Sequence, residues 1–393
     1  MSKSRPFHLA VELGGAGRHP AAWRLPEADA AGLLTAAHWA ELVRTAERAG
    51  VVFVVLADSV APPTTATDTV QARLDATGVA ALLGPLTSRI GIVPVAPVTY
   101  AEPFHVAKAV ATVDLVSGGR AGWQVDVAAP SGTGAGDVQA AQFHGRSAAT
   151  AAEQWREAAD VIEVVRRLWD SWEDDAIVLD AATDRYIDRE RVHNVAFSGT
   201  TFSVAGASIT PRSPQGQPLV VVRGDVPYAL GVAVAGADVI RIAARDVKEA
   251  GALAAQVRAA VAGSGRPARS VKVLLDVETL LGRDEAAACE RLVELDRLAG
   301  RPYEPSGLHV VAGADRAADA LADVVDLTGV DGLVLQPLAH AGDLAVLAEE
   351  VSPRLREQGR LVDLPAKAGP EARRTLRDAF GLDRPLSRYT LAR

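Results

Sequence analysis

Residues 51–57 read VVFVVLA, seven apolar residues in a row bounded by Gly50 and Asp58. The run is too short for a helix of its own, and it lacks the alternation of a strand with one wet face. A strand covered on both faces reads this way, and such strands belong to parallel sheets with helices packed outside. LVVV at 219–222 repeats the pattern. Outward from these two, Val/Ile-rich runs at 7–12, 52–57, 90–95, 121–127, 219–223, 239–242, 271–277 and 332–336 read as strands. Between them, Ala/Leu/Arg segments of helical period fall near 36–49, 77–84, 102–116, 150–172, 227–236, 246–262, 284–299 and 315–326, with a last helix near 341–358. Repeated βα units imply a parallel sheet, and eight of them fit a closed barrel. A doubly wound sheet would need a glycine-rich turn that opens a helix after the first strand. VELGGAGRHP (11–20) supplies glycines, but no helical pattern follows directly. The expected fold is α/β, a single (β/α)8 TIM barrel over 1–393.

The spacing breaks once. Between residues 127 and 219 there is too much chain for one crossover, even after the helix at 150–172 is counted. The remainder, 173–217, is polar and rich in turn residues, and it is expected as an insertion between strands four and five lying over the C-terminal rim. Within FSGTTFSVAGASITPRSPQGQP (197–218), the FSV core could form a hairpin. The Arg/Pro-rich segment 359–393 is expected as a C-terminal extension that wraps the barrel.

Composition excludes several functions. The 393 residues carry 41 basic and 49 acidic side chains, a net −8, and 36 of the basic residues are arginine. An acidic balance argues against a nucleic-acid surface, which needs clustered positive charge. One cysteine, Cys289, allows neither an intrachain disulfide nor a multi-cysteine metal site. The eight histidines show no His-x-x-x-His or His-x-Glu spacing, so no metal is expected. The first residues lack the apolar core of a signal peptide, and no run of about 18 uncharged apolar residues reads as a membrane span. A cytoplasmic protein with no membrane partner is the expectation.

Seven segments occur in a telling order: HPAAWRLPEAD (19–29), AERAGVVFVVLADS (46–59), RIGIVPVAPVTYAEPFHVAK (89–108), VDLVSGGRAGWQ (113–124), EVVRRLWDSWEDDA (163–176), FSGTTFSVAG with PRSPQGQPLVV (197–221), and TLRDAFGLDRP (375–385). Together they resemble the bacterial-luciferase-like flavin-dependent monooxygenases, in the subgroup that includes the nitrilotriacetate and dibenzothiophene-sulfone monooxygenases. The resemblance implies a TIM barrel that forms a homodimer or homotetramer. It also implies reduced FMN at the C-terminal face, supplied by a separate flavin reductase, and oxygenation of a small organic substrate with O2. No metal and no catalytic triad are implied.

Set against that family, the flavin-facing positions depart in several places. Asp58 stands where the family has an active-site acid, although an Asp there could equally cap the next helix. After the third strand the family shows Thr and a Ser-Thr pair, where this chain has Val95, Pro97 and Val98. After SGGRAGW the family's Asn and hydroxyls become Gln124, Val125, Asp126, Val127 and Ala128. At the head of the fourth helix, Glu-Arg-Tyr becomes Glu153-Gln154-Trp155. After the fifth strand, Gln-Ala-Gly-Ser-Ser, which the family places around the FMN phosphate, becomes Arg223-Gly224-Asp225-Val226-Pro227. Asp225 would set a carboxylate against a dianion and Pro227 removes an N–H. Arg223 is expected to point away from its neighbours on the strand. The expectation is a kept fold with FMN binding weakened or lost at Asp58, Val95, Gln124, Trp155, Gly224 and Asp225. The alternatives are a non-catalytic homologue that acts as a binding or complex-forming protein, and a pocket rebuilt for another cofactor.

Further candidates are weaker. Trp23, with Arg24 beside it, follows the first strand and could line a substrate pocket or anchor the surface. His144 and His193 are expected in the variable rim, within reach of substrate. His8 reads as a core histidine with its hydrogen bonds met, and His105 as a packing or capping residue. Trp169 and Trp172 read as core or interface, Arg120 and Trp123 as structural, and Glu173-Asp174-Asp175 as a solvated helix end.

Overall fold

The structure is a computed structural model and describes residues 5–143, 146–362 and 374–390. The chain starts with β1 (His8–Leu13), α1 (Ala36–Arg48), β2 (Phe53–Leu56), α2 (Ala76–Leu83), β3 (Gly91–Pro97) and α3 (Pro103–Ser117). Next come β4 (Gly122–Asp126), α4 (Gly134–Ala141), α5 (Ala151–Asp170) and two small hairpins, β5 (Ile177–Asp180) with β6 (Arg185–Ile187) and β7 (Phe197–Ser198) with β8 (Ser203–Val204). The second half holds β9 (Leu219–Arg223), α6 (Ala229–Gly236), β10 (Val239–Ile242), α7 (Val247–Gly263), β11 (Lys272–Gly282) and α8 (Glu285–Ala299). It ends with β12 (His309–Gly313), α9 (Ala314–Thr328), β13 (Gly332–Pro337), α10 (His340–Val346), α11 (Ser352–Glu357) and α12 (Leu376–Ala379).

Eight parallel strands close in the order β1, β2, β3, β4, β9, β10, β11, β13, and back to β1 through the pair His8↔Gly332. They are the eight runs expected from the sequence. β12 was not among them. It pairs with Glu278–Gly282, on the edge of β11 that β10 leaves free beyond Ile242. Its HVVAG is short and ends in glycine, so it does not stand out from the loop before it.

Alternation along each strand sorts the barrel into shells. Ala10, Phe53, Val55, Val93, Val95, Leu219, Val221, Val239, Leu274 and Val334 fill the lumen. The opposite faces, among them Leu9, Val11, Val54, Leu56 and Ile92, pack against the helices. From below, the lumen is closed by the C-terminal tail: Leu376, Phe380 and Leu382 join the lumen cluster. The Phe380 ring lies 4.3 Å from His8 and 5.8 Å from Phe53. Gly91 is required here, because a Cβ would come within 2.6 Å of Leu376. The tail is thus a plug that carries a helix, where the sequence suggested an extended wrap. Residues 363–373 and 391–393 lie outside the described residues.

The 173–217 insertion sits at the opposite end from the one expected. A βα unit leaves its strand at the C-terminal face and its helix returns to the N-terminal face, so a segment between α5 and β9 belongs to the N-terminal end. The contacts agree. Arg212 Nη2 donates to Asp170 Oδ1 (3.1 Å), Gln215 Nε2 donates to Asp114 Oδ1 at the foot of α3, and the Gln215 carbonyl oxygen of the side chain accepts from the Arg377 amide (2.9 Å). The expected FSV hairpin is present as β7–β8. Glu173 is not part of a solvated helix end, whereas Asp174 and Asp175 are exposed as expected. Glu173 is buried 2.7 Å from His193 Nε2, and Asp174 accepts from Arg212 and Arg384, binding insertion to tail. Arg120 is structural as expected: it is buried, and its guanidinium donates to the carbonyls of Gly84, Thr87, Ile90 and Ser117.

Candidate functional site

Above the apolar shell, the same inward alternation brings charge into the lumen. At the C-terminal ends of the strands, where barrel active sites form, stand Glu12 (β1), Gln124 and Asp126 (β4), Arg223 (β9), Arg241 (β10), Asp276 and Glu278 (β11) and Gln336 (β13). Arg241 is completely buried. Its Nε donates to Asp276 Oδ1 (2.9 Å), its Nη1 donates to Gln124 Oε1 (2.6 Å), and its Nη2 lies 2.7 Å from Glu12 Oε2. Arg223 donates from Nη1 to Asp276 Oδ2 (2.8 Å) and from Nη2 to Asp225 Oδ2 (2.7 Å). Gln336 Nε2 donates to the other Glu12 oxygen (3.2 Å). Charges in such surroundings persist only when paired and hydrogen-bonded.

The pairing is uneven, since Glu12, Asp126, Asp225 and Asp276 face two guanidiniums. Burial pushes the Glu12 carboxyl up, but Arg241 outweighs it and holds the group below the usual range. Asp126 goes the other way. Burial raises it, and the Val127 amide and Arg223 only partly offset this. Two carboxyls around one mouth are therefore driven apart in acidity, the arrangement that separates a proton holder from a fixed charge.

Glu278 anchors the rest of the rim. Its Oε1 accepts from Arg18 Nε (2.9 Å) and Ser306 Oγ (2.6 Å), and its Oε2 accepts from Tyr303 Oη (2.9 Å). This ties the 14–20 loop to the chain before β12. That loop, with Trp23, Asp58, Ser59 and residues 69–73, encloses a cavity of about 450 Å3. A second cavity of about 640 Å3 opens between α2 and α3, bordered by Asp58, Val95 and His105.

The residues singled out in the sequence now have places. Asp58 Oδ2 accepts from the Ala76 amide at the start of α2 (3.0 Å), so it caps that helix while its carboxylate also borders both cavities. Val95 is a buried lumen residue that reaches the second cavity. Gln124 is held by Arg241. Gly224 donates its N–H to the Arg241 carbonyl (2.7 Å), and a Cβ there would meet Ile240 at 2.6 Å. Arg223 and Asp225 are two residues apart, so they share a side and pair, where the sequence reading had turned Arg223 away. Trp155 is 2% exposed within the helix-packing core and offers no open face to a ligand. Trp23 lines the first cavity as anticipated, its Nε1 donating to the Asp68 carbonyl (3.0 Å). His193 lies in the insertion at the far end, stacked on Tyr389, away from this mouth. His144 falls outside the described residues. Sequence reasoning missed Glu12, Arg241, Asp276 and Glu278, although one charge inside each of VELG and VIRI, and two inside LLDVE, were the available signal.

Two histidines, His340 buried and His8 half-buried, frame the lumen. His8 at its foot and His340 behind the glycine loop, where the His340 amide donates to Ala16 O (2.9 Å), both have pKa values lowered to about 4, chiefly by burial. The His8 Nδ1 has no partner, so this histidine is not the satisfied one expected. A histidine freed by unfolding titrates near 6.5, so between that pH and about 4 the unfolded chain binds the extra protons. Stability should therefore fall on acidification across that window, by up to about 3 kcal/mol for each group. Urea melts at pH 7 and pH 4.5 should show the loss, and His8→Gln with His340→Gln should flatten it. An unchanged slope in that double variant would contradict the assignment.

A closed parallel barrel with a charged C-terminal mouth and a ligand-sized cavity beside it defines a small-molecule TIM barrel. The chain belongs to the luciferase-like monooxygenase family, whose model matches residues 18–324. It is 27% identical to the N-acetyl-S-(2-succino)cysteine monooxygenase of Bacillus subtilis (strain 168), across 99% of both chains. With nitrilotriacetate monooxygenase component A of Aminobacter aminovorans it shares 31% identity, over 73% of this chain and 65% of that one. The crystal structure of long-chain alkane monooxygenase superposes with a TM-score of 0.84 at 20% identity, covering 96% of each chain, which shows the common fold.

Proposed function

We propose that this chain oxygenates a small organic molecule with O2 at the mouth of its barrel, in the manner of a two-component flavin-dependent monooxygenase served by a separate flavin reductase. The observation that carries the reading is the cavity of about 450 Å3 at the ends of β1 and β2, bordered by Asp58 and Trp23. Its size suits a small substrate, and ligands of barrel proteins enter at this end. The protein's own part would be to enclose the substrate away from water and to hold protons at Asp126 and charge at Glu12. We read the active form as a homodimer or homotetramer. Exposed Leu82 and Leu86 at the end of α2, with Leu115 and Val116 on α3, offer an apolar face for it. Cytoplasmic location fits the one-cysteine chain, and among the described residues no helix is long and apolar enough to cross a membrane.

FMN does not fit the described mouth as a whole. The loop between β9 and α6 presents Asp225 and lacks an N–H at Pro227. No step is therefore drawn through that cofactor. This misfit favours the second reading, a homologue that binds without catalysing. Oxygen uptake separates the two. With a flavin reductase and NADH present, a panel of thioethers, sulfones and aminocarboxylates should yield at least one substrate-dependent uptake with a product heavier by one oxygen atom. Uptake that never responds to substrate would support the non-catalytic reading.

A further inference from the structure

We infer that the barrel mouth selects a phosphate-free flavin over FMN, because Asp225, locked onto Arg223, supplies from the protein the negative charge that a phosphate would bring. The inference rests on the flavin reading above and narrows it to one form of the cofactor.

An anion that enters between β9 and α6 needs a free cation and free N–H groups. Arg223 is the cation on this strand end, and its two terminal nitrogens are already committed to Asp276 and Asp225. The next guanidinium, Arg241, donates from Nε to Asp276 and from Nη1 to Gln124, and its charge is paired with Glu12 and Asp276. The loop removes two further donors. Pro227 has no N–H, and the Ala229 amide donates to the Val226 carbonyl (3.1 Å). A dianion placed here would meet carboxylates that already outnumber the guanidiniums.

The same loop holds an acceptor without a donor. Asp225 Oδ1 is buried and accepts no hydrogen bond, although Oδ2 is fully used by Arg223. A buried acceptor of this kind is costly when unmatched and is satisfied by an O–H group. The chain that links a flavin ring to its phosphate is a polyol, and without the phosphate it ends in a hydroxyl. That terminus donates to Asp225, whereas a phosphate terminus can only repel it.

Fluorescence titration of the purified full chain with riboflavin and with FMN, each oxidised and dithionite-reduced, tests this. Riboflavin should bind at least about ten-fold more tightly than FMN. Asp225→Asn keeps an acceptor but removes the charge and releases Arg223. It should tighten FMN by about ten-fold or more while riboflavin, which loses a charged acceptor, does not tighten. Asp225→Ser serves the same comparison if the first variant does not fold, as judged by its circular dichroism melt. FMN binding as tightly as riboflavin to the unaltered chain overturns the inference and leaves the flavin reading intact. So does a variant that shifts both ligands alike. If neither flavin binds at millimolar concentration, the inference and the flavin reading fall together.

Discussion

A chain ended after residue 373 is expected not to form a stable barrel. The segment it lacks puts Leu376 and Phe380, each 2% exposed, into the foot of the lumen beside Phe53 and Val93. It also delivers Arg377, buried between the Gln217 carbonyl (2.7 Å) and Asp238 (2.9 Å). Asp238 in turn accepts from the Val220 amide at the start of β9 and from Arg166 (3.1 Å), so the tail closes a buried network as well as an apolar one. Removing a buried Phe side chain costs about 3–5 kcal/mol and a Leu about 2–5 kcal/mol. A buried ion pair that loses one partner costs about 3–5 kcal/mol more. The sum rivals the whole stability of an ordinary domain, about 5–15 kcal/mol. The single substitution Phe380→Ala should then lower the unfolding free energy by about 3–5 kcal/mol with the native circular dichroism retained. A loss below about 1 kcal/mol in urea would show that the tail merely rests on the barrel.

The eight barrel strands were legible because double burial leaves an unmistakable mark on short runs: VVFVVL and LVVV have no polar residue to lose. β12 was not, since HVVAG joins an edge that exists only because β11 outruns its neighbour. The place of the insertion was misjudged even though chain direction decides it, because its polar composition resembled a rim loop. Trp155 illustrates a similar oversight. Trp155, Ala158, Ile162, Val165 and Trp169 recur at helical spacing along α5 and are all buried, so periodicity already assigned the indole to the core. The mouth was half legible. Asp126 and Asp225 stood out against the family pattern, but their meaning depends on Arg223 and Arg241, whose other partners Glu12, Gln124 and Asp276 come from distant strands. Only closure of the barrel brings these together.

Arg241→Leu should be the most damaging single change in the mouth. The guanidinium is wholly buried and binds three side chains from three strands, Glu12 on β1, Gln124 on β4 and Asp276 on β11. Leucine fills part of the volume but leaves two carboxylates with one cation fewer, and breaking a buried pair in this way costs about 3–5 kcal/mol. The pH dependence carries a sign that packing loss alone would not produce. In the unaltered chain the Glu12 pKa is held below its unfolded value, so its contribution is present above that unfolded value and is lost as pH falls through the folded one. Without Arg241, burial is left as the main influence on Glu12, whose carboxyl rises above the unfolded range. Asp276, already raised by burial and still paired with Arg223, rises further, so stability is lost as pH increases. The gap between the two proteins should therefore be widest near pH 7 and shrink as the medium is acidified into the carboxylate range. Adding Glu12→Gln to Arg241→Leu removes one stranded charge and should recover part of the loss at pH 7. Urea melts of the single and double variants at pH 7 and pH 4.5 measure both effects. An equal deficit at the two pH values would mean that Arg241 acts through its volume rather than its charge.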